Sequence, residues 1–230
     1  MRINYWQKFI EGGYFHIYNR TVGHDFLFMN HENYRYFLEK WQLYLEKYIE
    51  VYAFCLMSNH FHFVVRVKML DDKIRENINL EKTKAAYKFS KNLVDYNGFL
   101  EDQFKRFFSA YALAYNKEHK RHGNLFQSRF KRVQISDEVG LRNAICYVHH
   151  NPIHHDYSNS YDAWKFSSYK AYLSNNQTKI ARNQGLTLFD KKNSSQEHFE
   201  KIHNQYRLHK ENWRRKIDWD DDLSIDNVVV

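Results

Sequence analysis

What the sequence lacks narrows it first. Proline occurs once, at Pro152, and cysteine twice, at Cys55 and Cys146. Two cysteines inside separate apolar runs make neither a disulfide framework nor a zinc-ribbon spacing, which excludes a stapled or structural-zinc scaffold. Residues Met1 to Gly13 hold no apolar signal core, and the longest wholly apolar run is Val51 to Met57. That run falls far short of the roughly 18 to 20 residues that span a bilayer. A cytoplasmic protein without a membrane partner is the expectation. Internal repeats and low-complexity blocks are missing as well.

What is present is aromatic and basic. The 230 residues include 18 Phe, 18 Tyr and 5 Trp, and 43% are hydrophobic, enough for a sizeable core in one domain with appendages. Aromatic rings fill cores, and on a surface they also stack on unpaired bases. The formal net charge is +8 and the pI is near 9.2. An excess of this sign favours a polyanionic partner, because phosphate contacts release counterions. A basic, inert surface would show the same charge.

Periodicity gives the order of elements. Tyr14 to Asn19 reads as a strand and Glu32 to Tyr48 as an amphipathic helix. Val51 to Met57 and His60 to Val67 are two more strands, joined by Ser58-Asn59 in a tight hairpin. Asp71 to Leu100 is charged and weakly patterned, and reads as a partly helical insertion. A helix from Asp102 to about Lys120 follows, closed by Gly123. Leu125 to Ile135 is the fourth strand. Ser136 opens a further helix, with acid in its first turn, that is expected to end at Pro152.

The order β-α-β-β-α-β predicts an α+β fold: a ferredoxin-like split βαβ core with an antiparallel sheet, a helix carrying Tyr147, and a helical appendage. The expected division is residues 1–174, with the insertion at about 71–100, and residues 175–230. The acidic end, Asp218 to Asp222, reads as a solvated tail.

Three places could carry chemistry. In the third strand, alternation puts His60, His62, Val64 and Arg66 on one face and Phe61, Phe63, Val65 and Val67 on the other. Two imidazoles side by side can ligate one metal ion. A chain with this many histidines contains about one His-x-His by chance, so the strand context matters more than the spacing. In the following helix Tyr147 lies off the stripe Leu141, Ala144, Ile145 and Val148. Asn151, one turn on, shares its side. His149, His150, His154 and His155 read as a solvated or phosphate-contacting patch. On the fourth strand Gln127, Arg129 and Lys131 alternate onto one face, which would be cationic and next to the histidines.

Four segments, in order, resemble a known family. Met57-Ser58-Asn59-His60-Phe61-His62-Phe63-Val64-Val65 is similar to the HUH segment of IS200-like single-tyrosine transposases, in particular the REP-associated tyrosine transposase branch. Gly123-Asn124-Leu125-Phe126-Gln127-Ser128-Arg129-Phe130-Lys131 resembles that branch's glycine-to-arginine strand. Tyr147-Val148-His149-His150-Asn151-Pro152-Ile153 resembles its tyrosine helix, and Phe166-Ser167-Ser168-Tyr169 its Trp-Ser-Ser-Tyr block. Ser58 stands where the family commonly has proline, and Phe166 where it has tryptophan.

The resemblance implies a transposase of single-stranded DNA that folds into imperfect palindromic hairpins. It implies His60 and His62 as metal ligands, Asn151 as a third polar ligand, Mg²⁺ or Mn²⁺ as the ion, and Tyr147 as a nucleophile forming a 5′-phosphotyrosine link. Arg66, Gln127, Arg129 and Lys131 are the candidate DNA contacts. Relatives act as monomers or as homodimers. Two other readings fit the same residues: a non-catalytic module for single-stranded nucleic acid, and a metal-dependent nuclease that uses water.

Overall fold

The computed structural model describes residues 4–208, apart from 24, 128, 191, 193 and 194; the acidic run Asp218 to Asp222 lies outside them. Four strands, β1 (Tyr14–Arg20), β2 (Ile49–Leu56), β3 (His60–Val67) and β4 (Lys131–Ile135), form one sheet in the order β2-β3-β1-β4. All neighbours are antiparallel. With α1 (His31–Leu45) joining β1 to β2, this is the split βαβ arrangement expected from the element order.

The predicted boundaries of β3 hold to the residue, because its alternation is unbroken and both of its faces are buried. The insertion forms α2 (Asp72–Leu80) and α3 (Lys84–Ser90). Each is opened by an N-cap side chain, Asp71 and Thr83. Helix α4 (Tyr96–Glu118) begins six residues before the predicted Asp102, because Asp95 caps it through the Gly98 N–H at 2.8 Å. It also ends before Gly123: Lys120, with φ of 50°, takes the left-handed position that closes it. Glu81 ties the insertion down by accepting from Tyr48 Oη (2.7 Å), Gln103 Nε2 (2.7 Å) and Arg106 (3.0 Å).

The fourth strand is the largest departure from expectation. Only Lys131–Ile135 pair with β1, while Phe126 makes an isolated bridge with Thr21. Phe126 and Phe130, both partly buried, pack against the core under the sheet, and the Gln127 N–H still donates to the Arg20 carbonyl at 2.9 Å.

Helix α5 (Glu138–His154) is capped by Asp137 rather than Ser136, the Asp137 carboxylate accepting from the Gly140 N–H at 2.7 Å. It runs two residues past Pro152. Proline cannot donate to the Val148 carbonyl, yet its own carbonyl is satisfied by the N–H groups of Tyr157 (2.8 Å) and Ser158 (3.1 Å).

Two cores flank the sheet. Under it, α1 and α4 bury Phe37, Trp41, Phe104, Phe107 and Tyr111 against Phe61, Phe63 and Val65. The ring pair Trp41–Phe63 is stacked at 3.8 Å. Over it lies α5, followed by α6 (Tyr169–Leu173), α7 (Arg182–Thr187) and α8 (Gln196–Leu208). Ile180, Leu186, Phe189, Phe199 and Tyr206 complete this second core, so packing runs on without a gap across residue 174. Gly185 is required there, since a Cβ would sit 2.1 Å from Tyr172 Oη.

Both sheet edges are covered. Ser167 and Ile180 bridge to β2, and Trp6 bridges to Arg132 of β4. The Ser-Ser-Tyr block thereby acquires a physical role: Ser168 Oγ accepts from the Phe54 N–H at 2.9 Å and reaches His149 Nε2 at 2.8 Å, joining the β2 edge to α5. No described helix is long and apolar enough to cross a membrane.

Candidate active site

The site forms where α5 crosses the upper face of β1 and β3. Antiparallel register sets Tyr18 opposite His62 and Arg20 opposite His60. By alternation His16, Tyr18 and Arg20 of β1 share the face of His60 and His62. Leu141, Ala144, Ile145 and Val148 are buried under α5 and seat it on the sheet. That leaves Tyr147 over the histidines, its ring near-perpendicular to His16 (5.7 Å between centroids, 85°) and to His62 (5.6 Å, 89°). Beneath it the rings of Tyr18, His16 and His62 lie almost parallel, with interplanar angles of 19°, 7° and 22°. Tyr147 therefore stands on a platform of imidazoles.

Hydrogen bonding decides what those imidazoles offer. Burial lowers His60 to a pKa of about 3, with the charges of His155 and Arg20 adding to the effect, so the ring is neutral near pH 7. His60 Nδ1 lies 2.7 Å from Asn59 Oδ1, an atom that only accepts. The proton is accordingly on Nδ1, and Nε2 carries a bare lone pair. Burial likewise holds His62 well below 6.5, aided by His16, His60 and His155, and brings His16 to about 3. Asn151 Nδ2 donates to the Tyr147 carbonyl at 3.0 Å, which turns Oδ1 the other way. Asn151 lies near enough to His60 to favour its charged form, but the contact falls short of hydrogen-bond geometry.

Among the described residues, the buried atoms without a hydrogen-bond partner include His60 Nε2, His62 Nε2 and Asn151 Oδ1 at this site. Leaving a buried polar atom unsatisfied costs about 1–3 kcal/mol. A bound cation removes that cost, and neutral imidazole plus amide oxygen is a donor set that suits Mn²⁺ and accepts Mg²⁺ when other oxygens join. Among the described residues no group of three or more His, Cys, Asp or Glu side chains is placed to hold a metal. His60, His62 and Asn151 could by themselves supply only part of a coordination shell, the remainder falling to ligand oxygens.

The other predicted residues divide. Lys131 is at the site's border, its ammonium 4.9 Å from the Tyr5 ring and 5.8 Å from that of Tyr18. Burial and the nearby Arg20 lower its pKa. Gln127 and Arg129 do not alternate on a strand face with it, since β4 begins only at Lys131. They line a cavity of about 940 Å³ between α4 and the segment before β4, together with Asn19, Lys105, Phe108 and Phe126. Arg66 sits at the far end of β3, 3.5 Å from Glu50 and over the Tyr14 ring.

The expected solvated or phosphate-contacting patch of His149, His150, His154 and His155 fails for the first two, while His154 and His155 are half-buried. His149 and His150 are buried, His149 bonding His203 at 2.9 Å and Ser168, and His150 reaching Tyr161 Oη at 3.2 Å. His155 instead faces the site, 5.0 Å from the His60 ring.

Sequence reasoning missed His16, Tyr18 and Arg20. Their shared parity on a predicted strand was visible, but their place beside the His pair depends on strand order.

No protein-family model matches the chain. A Haemophilus influenzae protein that carries the name REP-associated tyrosine transposase is 25% identical over 120 residues, 52% of this chain. The match spans 58% of that relative's length. Among solved structures, one described as a REP-associated tyrosine transposase bound to a REP hairpin superposes with a TM-score of 0.52 at 17% identity. It covers 75% of this chain and 86% of its own, and shows the same fold. Both comparisons bear out the resemblance read from the four sequence segments.

Proposed function

We propose that the protein is a transposase that cuts and rejoins single-stranded DNA at hairpin-forming ends, with Tyr147 as nucleophile and His60, His62 and Asn151 holding Mg²⁺ or Mn²⁺. The observation that carries this reading is the convergence of three partnerless buried donor atoms beneath a tyrosine on the same sheet face. The solved neighbour is bound to a REP hairpin, which supports a hairpin-forming DNA as partner.

When bound, the ion polarises the scissile phosphate and offsets the charge that builds on its oxygens. The remaining work falls to the chain. Tyr147 Oη attacks phosphorus, the new O–P bond replaces the bond to the 3′ oxygen, and that oxygen leaves as a 3′-hydroxyl once protonated. Tyrosine ordinarily ionises at about pH 10, so positive charge beside the ring must favour the phenolate. Arg20, opposite His60, supplies positive charge along the same face, with Lys131 beside Tyr18 at its border. The covalent link conserves the phosphodiester energy, and a 3′-hydroxyl can reverse the step to join strands. Tyr147 stands over the histidines of its own chain, which supports a site built within one chain.

The test uses purified protein, Mn²⁺ and single-stranded DNA carrying the palindromes that flank its gene, labelled 3′ to the cut. We expect label that stays on the protein through denaturation, and its loss in Tyr147→Phe and in a His60→Ala, His62→Ala double variant. Cleavage without an adduct that survives Tyr147→Phe would instead establish a hydrolytic nuclease. Hairpin binding with neither product would establish a binding module.

A further inference from the structure

We infer that His16 is the positioning residue of the metal site: its Nε2 accepts a hydrogen bond from His62 Nδ1–H and so fixes His62 in the tautomer that leaves Nε2 open to the ion. This rests on the metal-binding role proposed above for His62.

The two rings meet edge to edge, His16 Nε2 lying 2.9 Å from His62 Nδ1, with an interplanar angle of only 7°. Both are almost wholly buried, at 0% and 1% exposure. At this distance one of the two nitrogens carries the hydrogen and the other accepts it. If His16 donated, the proton of His62 would move to Nε2. The lone pair on Nε2 that a metal ion needs would then be gone. If His62 donates, Nε2 is bare and matches His60, whose own Nδ1 is committed to Asn59 Oδ1 at 2.7 Å. Both candidate ligands then present the same nitrogen, each oriented from behind by a dedicated acceptor. Metal-bound histidines almost always have such a partner, and losing it typically weakens the metal about 10–100-fold.

The position of His16 follows from the sheet. It pairs directly with Val64, and His62 pairs with Tyr18, so the two histidines are diagonal neighbours across β1 and β3. Tyr18 stacks on both rings, 4.8 Å from His16 and 5.6 Å from His62, and keeps them coplanar. The Tyr147 ring rests against the same pair. A change at His16 therefore reaches a metal ligand and the nucleophile without being either.

Calorimetric titration of the full chain with Mn²⁺ alone separates the two layers of the argument. His62→Ala should abolish measurable uptake. His16→Phe should weaken it about 10–100-fold, and His16→Gln, whose amide can still accept, should stay within about threefold of wild type. Uptake unchanged in His62→Ala would overturn the metal reading itself. Loss in His62→Ala with full affinity in His16→Phe would overturn only the role of His16. If His16→Phe does not fold, long-range proton–nitrogen NMR of wild-type protein with Mg²⁺ decides. A His62 proton on Nδ1 supports the inference, and one on Nε2 overturns it.

Discussion

The two faces of the sheet are both buried, yet they are built from different chemistry. The lower face packs Phe61 and Phe63 against Phe37, Trp41, Phe104 and Phe107. Such a core is specified by volume and shape, and no side chain in that set has a protonation state to fix. The upper face buries His16, His62, His149, His150 and His203 among Tyr147, Tyr161, Tyr169 and Tyr172. Each imidazole there must be told where its proton sits. His203 Nδ1 is 2.8 Å from the Phe199 carbonyl, which leaves its Nε2 to accept from His149 Nδ1 at 2.9 Å, and Ser168 then meets His149 Nε2. That chain is fully partnered and locks α8 and the β2 edge to the tyrosine helix. The site beside it is partly unpartnered, at His60, His62 and Asn151. Within one face, the chain through His203, His149 and Ser168 holds the frame, while His60 Nε2 and His62 Nε2 keep lone pairs that a ligand could use.

The contrast can be broken from its apolar side with the largest effect. Phe63→Ala removes a ring stacked on Trp41 and should cost about 3–5 kcal/mol of stability, read from urea unfolding. Mn²⁺ affinity of the folded fraction should be unchanged, because Phe63 and His62 lie on opposite faces.

A smaller effect tests the histidine side through pH. Burial lowers His203 from 6.5 to about 3 against a partial opposing contribution from the Phe199 carbonyl, and burial and the charge of His203 hold His149 well below 6.5. Above pH 6.5 both folded and unfolded states leave these rings neutral. As pH falls from there towards 3, the unfolded chain binds protons that the folded one refuses, and stability is lost. Urea midpoints followed across that range should show His203→Gln with a slope shallower by about one proton.

The smallest expected change is at the border between the site and solvent. Lys131→Met should weaken hairpin binding at all sequences alike and reduce the salt dependence of log Kd by about one unit, measured by fluorescence anisotropy. An unchanged salt slope would confine Lys131 to its contacts with Tyr5 and Tyr18.

Much of this was legible beforehand. The alternation of His60 to Val67 sorted that strand onto its two faces correctly, and the stripe Leu141, Ala144, Ile145 and Val148 placed Tyr147 and Asn151 on one side of their helix. Local signals failed where a distant contact outweighed them. Gln127 and Arg129 have strand-like parity, but β4 begins only at Lys131, and the neighbouring Phe126 and Phe130 pack against the core under the sheet. His149 and His150 look solvated in a polar stretch, and only the arrival of α8 and Tyr161 buries them. Pro152 marks a helix end in sequence, while carbonyl partners from the next turn let the helix run on.

By itself the sequence determined which residue types fall on each face of each element, because side-chain direction follows from backbone period alone. It therefore settled the β-α-β-β-α-β order, the paired histidines and the tyrosine helix. The tertiary structure decided which elements are neighbours, and so which lone pairs are left without partners. His16 and His62 stand 46 residues apart and meet only because β1 is inserted between β3 and β4. Hydrogen bonds between side chains act over about 3 Å, so the proton arrangement of the site exists only once that strand order has formed.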